Sequence, residues 1–114
     1  MVRAALRMMI PSRKRDEVLE ILSSIAERTG FERGCISCRL YQGVEVENLI
    51  MLEEVWRDEE SLDRHLRSDE YRKVLLVAEM AVEPPEIRFE EISRSSGVET
   101  IEKARSSPQN GEMS

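Results

Sequence analysis

Apolar residues open the chain on alternate positions: Val2, Ala4, Leu6, Met8 and Ile10, with Arg3, Ala5, Arg7 and Met9 between them. A period of two puts the first set on one face of a β-strand. Pro11 ends it, having no amide proton to give a ladder. The period then changes, with Val18, Leu19, Ile21, Leu22, Ile25 and Ala26 recurring at helical spacing. Ser12 stands where an N-cap is expected, Asp16 and Glu17 lie near the positive helix end, and Gly30 reads as a left-handed stop. Residues 35–42, CISCRLYQ, form a second expected strand after Gly34, and 43–48 a turn. Residues 49–57, LIMLEEVWR, form a third, apolar on both faces: Leu49, Met51 and Val55 on one, Ile50, Leu52 and Trp56 on the other. Such a strand is covered on both sides, and its short connection to the second makes a hairpin.

Asp58 is placed to cap a short helix in which Leu62, His65 and Leu66 share a face. Ser68 is placed to cap another, carrying Tyr71, Val74, Leu75, Ala78 and Ala81, which Glu83-Pro84-Pro85 stops. A last strand spans 86–92 with Ile87 and Phe89 on one face, and 97–105 reads as a short helical segment. The order β-α-β-β-α-β predicts an α+β, ferredoxin-like split fold with an antiparallel sheet. One domain is expected at 1–92, a C-terminal extension at 93–105 and a disordered polar tail at 106–114. The helices of this plan cover one face of the sheet. The other holds Arg3, Arg7 or Ile36 and Leu40, depending on register, plus one apolar side of the third strand. A second copy of the chain would bury it, so a homodimer is expected.

Composition narrows the partners. The 114 residues carry 17 basic and 23 acidic side chains, a net charge of −6. Ten acids crowd residues 45–70 against Arg57, Arg64 and Arg67, and the basic run Arg13-Lys14-Arg15 is diluted at once by Asp16 and Glu17. Such a surface repels phosphate backbones, so no nucleic acid is expected. No apolar run approaches the ~20 residues that span a bilayer and no leader pattern opens the chain, so no membrane role is expected and a cytoplasmic domain is. Cys35 and Cys38, three apart on a strand, should point to opposite faces, which opposes a metal or redox pair and favours packing.

The stretch Glu54 to Tyr71, EVWRDEESLDRHLRSDEY, resembles the signature of the antibiotic biosynthesis monooxygenase (ABM) domains: E-x-W, a helical His nine residues after the Trp, then S-x-x-aromatic. These are Glu54, Trp56, His65, Ser68 and Tyr71. Gly34 to Tyr41, GCISCRLY, is similar to the family's second strand. The resemblance covers roughly residues 2–92 and implies a dimeric α+β barrel of two sheets packed face to face. It spans cofactor-free monooxygenases of quinols and phenols, haem-degrading oxygenases, an isomerase and many members without a known substrate. The haem-degrading branch carries a second Trp where His65 stands and its iron-binding His where Leu75 stands. Leucine cannot ligate iron, so neither haem nor another metal is expected.

His65 is the chain's only histidine and its only side chain that ordinarily titrates near neutrality. It is either a helix residue bonded to a backbone carbonyl or a pocket base for an acidic phenol. Trp56 is either core or the stacking wall for a flat substrate. Glu54 shares its strand face, and buried it needs a partner such as Arg39 or Arg7. Tyr71, Met8 and Leu40 are expected neighbours on the pocket wall. With no G-x-G-x-x-G, phosphate loop or ligand cluster, an oxygenase built on this chain would work without a cofactor on a substrate that is itself electron-rich. The reading is a cofactor-independent monooxygenase of a quinol or phenol: His65 as base, Trp56, Tyr71, Glu54 and Met8 binding substrate, and a small aromatic molecule and O2 as partners. An isomerase or other small-molecule enzyme in the same pocket, or a non-catalytic metabolite-binding dimer, remains the alternative.

Overall fold

The computed structural model describes residues 1–106; the tail expected at 106–114 lies, beyond Ser106, outside them. The elements are β1 (Val2–Met9), a 3₁₀ turn (Ser12–Lys14), α1 (Arg15–Thr29), β2 (Cys35–Gln42), β3 (Leu49–Trp56), α2 (Glu59–Leu66), α3 (Asp69–Ala78), β4 (Glu86–Glu91) and α4 (Val98–Ser106). The four strands form an antiparallel sheet in the order β2-β3-β1-β4. This is the expected α+β, ferredoxin-like arrangement, with β3 inserted between β1 and β2. No helix among the described residues is long and apolar enough to cross a membrane.

Alternation decides which face is covered. Val2, Ala4, Leu6 and Met8 of β1 and Ile50, Leu52, Glu54 and Trp56 of β3 turn inward and are buried. Against them pack Val18, Leu22, Ile25 and Ala26 of α1 and Tyr71, Val74, Val77 and Ala78 of α3. Leu75, expected on that face, is instead 44% exposed, and Val77 takes the buried place. The outer face carries Arg3 and Arg7 opposite Val55 and Met51, and Arg39 and Tyr41 opposite Glu53 and Met51. Leu40 pairs with Leu52 and packs inward, so its expected alternative on the outer face does not hold.

Three local expectations change. Ser12 does not cap α1. Pro11 opens a 3₁₀ turn, with Lys14 N–H donating to its carbonyl at 2.9 Å, and the Ser12 hydroxyl accepts from Asn48 at 2.9 Å. Gly30 ends α1 in right-handed geometry, at φ −59°, because the chain continues through further turns at Phe31 and Glu32. Among the described residues the left-handed one is Gly34, at φ +90°, where a Cβ would also strike the Ser61 side chain. The cysteines are corrected too. Trp56 faces Cys35 and Val55 faces Ser37, so Ile36 is the extra residue of a β-bulge. The bulge resets the alternation, and Cys35 and Cys38 share the inward side, opposite Trp56 and Glu54.

Candidate functional site

β3 ends by placing a carboxylate and an indole on one buried face. Glu54 is 3% exposed and Trp56 is fully buried. The indole Nε1–H donates to Glu54 Oε1 at 2.9 Å. Arg7 and Arg39, expected as partners for Glu54, point to the other face of the sheet and do not meet it. Its second partner comes from α2. Asp58 caps that helix by accepting from the Ser61 amide at 2.8 Å, which fixes the turn that carries His65 inward. His65 is 1% exposed. Its Nε2 stands 3.4 Å from Glu54 Oε2, ion-pair distance but long for a hydrogen bond, and makes no full hydrogen bond to any described residue.

The other nitrogen is held firmly. Nδ1 lies 3.0 and 3.1 Å from the two oxygens of Glu32, a residue of the α1–β2 connection whose side chain is 33% exposed. Trp56 and His65 lie with ring centres 4.8 Å apart, and Tyr71 meets His65 edge-on at 5.3 Å. Ser68 ties the helices together: its hydroxyl donates to the His65 carbonyl at 2.6 Å and accepts from the Tyr71 amide at 3.2 Å. A His65 bonded to a backbone carbonyl through its ring is therefore not what forms; both nitrogens face carboxylates.

Electrostatics follow from this packing. Burial alone pushes the His65 pKa down, but the Glu54 carboxylate beside Nε2, then Glu32 beside Nδ1, outweigh it, and the pKa rises above its ordinary 6.5. Burial, then the Glu54 charge, lifts Tyr71 to about 12, so it stays a neutral hydroxyl near pH 7. The same causes, with Glu32 added, raise Cys35 to about 11 and push Cys38 up as well, leaving both as thiols.

Access comes from the β4 side. Glu54 and Tyr71 line a slot of about 10 Å³ with Ala4, Leu6, Ile87 and Phe89. Ile87 and Phe89 pair with Leu6 and Ala4 on the helix-bearing side, yet both stay exposed because no helix covers β4. Trp56 and His65 do not line the slot; they sit behind Glu54. Met8 is not brought to this cluster. It pairs with Ile50 while Trp56 pairs with Val2, about 20 Å along the strand. Met8 instead borders a cleft of about 310 Å³ with Arg7, Leu49 and Glu86. Leu40 likewise belongs to the main core, beside Leu52. Glu32 was missed because it lies in a connection with no periodicity; its place just before Gly34, whose backbone closes on Ser61, is the one sequence signal that could have found it.

No group of three His, Cys, Asp or Glu side chains among the described residues is arranged to hold a metal ion. At the position of the haem-degrading branch's iron ligand, Leu75 offers no donor atom and is exposed on α3, and the one histidine is enclosed by carboxylates.

A sheet of this order, backed by a split helix, defines an α+β, ferredoxin-like domain. Its relatives agree. The family model for antibiotic biosynthesis monooxygenase matches residues 1–75, and the chain belongs to that family. A conserved protein from Methanosarcina mazei Go1 is 31% identical, over 79% of this chain and 90% of that one, with a TM-score of 0.73. A Mycobacterium tuberculosis protein at 24% identity, covering 84% and 98%, superposes with a TM-score of 0.75. A structure described as an antibiotic biosynthesis monooxygenase, at 19% identity and covering 82% and 100%, gives 0.74. The last two show likeness of fold. No curated protein matches the chain.

Proposed function

We propose that the protein is a cofactor-independent monooxygenase of an electron-rich phenol or quinol, with Glu54 meeting the substrate and His65 behind it. The carrying observation is the slot lined by Glu54 and Tyr71. Its volume of about 10 Å³ suits a hydroxyl group, not a ring. The aromatic ring then lies outside, over the exposed Ile87 and Phe89, with its hydroxyl directed between Glu54 and Tyr71. This moves the first proton acceptor from His65, the sequence expectation, to Glu54. Trp56 becomes the donor that orients Glu54 rather than a stacking wall.

The chemistry balances within the site. The phenol gives its proton to Glu54, which hands it to His65 Nε2. The phenolate gives one electron to O2, and the phenoxyl and superoxide radicals join in a new carbon–oxygen bond. His65 returns its proton through Glu54 to the peroxide. Loss of water, as the O–O bond and the carbon–hydrogen bond at that carbon break, leaves a carbonyl. The chain contributes a base and a proton store, both on buried side chains. The test is oxygen uptake with a panel of quinols in the presence of a metal chelator. Consumption above the uncatalysed rate, with one quinone carrying one oxygen atom from O2 formed per O2, is expected; uptake at the background rate throughout refutes the oxygenase.

The same reading includes a homodimer formed through the outer face of the sheet. Leu49, Met51 and Val55 lie there half-buried, among Arg3, Glu53 and Glu90, which pair at 2.6 and 2.7 Å. A second copy covers these apolar residues and leaves the slot on the helix side free.

A further inference from the structure

The site holds more than the motif asks for. A histidine that stores a proton must offer its lone pair to the donor, and which nitrogen carries the resting proton is fixed by what the other one bonds. In His65 the two nitrogens are unequal. Nε2 faces Glu54 at 3.4 Å without a full hydrogen bond. Nδ1 faces both oxygens of Glu32 at 3.0 and 3.1 Å. A carboxylate can only accept, so in the neutral ring the shorter pair places the hydrogen on Nδ1, and the Nε2 lone pair gains its donor when Glu54 carries the substrate's proton.

We propose that Glu32 is a positioning residue: by accepting Nδ1–H it sets the tautomer of His65, so that Nε2 can take the proton Glu54 removes from substrate. When that proton arrives, the ring becomes an imidazolium between two carboxylates; when it leaves for the peroxide, the ring returns to the Nδ1–H form with Glu32 unchanged. The proton count closes without any group beyond Glu54, His65 and the reacting molecules. The other titratable neighbours do not compete. Tyr71 on α3 is a neutral phenol, and Cys35 and Cys38 on β2 are neutral thiols, all raised by burial and by the Glu54 charge. The charge on the ring is set by Glu54 and Glu32, the two carboxylates that raise it. Position explains why the second one comes from a loop. Gly34 at φ +90° lets the chain turn tightly against Ser61 on α2, which brings the residue two places earlier beside His65.

The inference rests on the oxygenase reading for its purpose but not for its test. His65 is the only histidine, so its ring nitrogens can be followed by ¹⁵N NMR without assignment ambiguity. Above its pKa the wild-type ring is expected as the Nδ1–H form. Glu32→Gln keeps the shape of a partly exposed side chain and removes its charge. It is expected to lower proton affinity about tenfold, the loss of one nearby opposite charge, and to shift the neutral ring toward Nε2–H. An unchanged tautomer and pKa in Glu32→Gln overturns the proposal. Failure of quinol oxidation with the tautomer shift intact refutes the oxygenase and leaves the Glu32 assignment standing. With quinol turnover present, Glu32→Gln is expected to lower kcat at nearly constant KM, since Glu32 does not touch substrate; a rise in KM alone counts against it.

Discussion

Two carboxylates around one buried ring give the protein a pH signature. The folded state binds the His65 proton more tightly than the unfolded chain, whose value is about 6.5. The stability this contributes is fully present below pH ~6.5 and is lost as pH rises through the raised folded value. Denaturant melts across pH 6 to 9 should show a decline that His65→Gln flattens; a slope unchanged by that substitution would remove His65 as its source. Of the cluster, Glu54, Trp56, His65 and Tyr71 were all legible, because strand alternation and helical spacing each place a side chain on a known face. Their roles were not. Which residue reaches a surface depends on β4 being left uncovered, and that is decided by packing between elements far apart in sequence. Met8 illustrates the same point: its face was legible, but its distance along the strand from Trp56 follows only from the register.

At the scale of elements, boundaries followed periodicity closely, and the surprises came from turns. The split second helix was readable because Asp58 and Ser68 are strong N-caps, and both bond as their positions require. Ser68→Ala should cost about 1 kcal/mol as a lost cap, and it also frees the His65 carbonyl; chemical denaturation of the variant measures this. Gly34→Ala should cost more, about 1–3 kcal/mol, because a positive φ and the Ser61 contact oppose it together. A variant as stable as wild type would mean the loop closes differently. The bulge at Ile36 had no sequence mark, and it reversed the reading of Cys35 and Cys38. A period-of-two argument fails wherever one strand carries an extra residue.

For the whole molecule, the unshielded outer face and the uncovered β4 divide the work. Light scattering at micromolar concentration should give twice the 13.2 kDa chain mass; a mass of one chain would leave Leu49, Met51 and Val55 uncovered and contradict the homodimer. The helix side is where substrate is expected, and the protonation state of a bound phenol tests that most directly. A chromophoric phenol, added without oxygen below its own pKa, can be followed by its absorption as it binds. The expected result is a phenolate band on wild-type protein that Glu54→Gln replaces with the band of the neutral phenol. A phenol bound in its neutral form to wild type, or a phenolate band equally strong on Glu54→Gln, would contradict the assignment of Glu54 as the group that takes the substrate's proton.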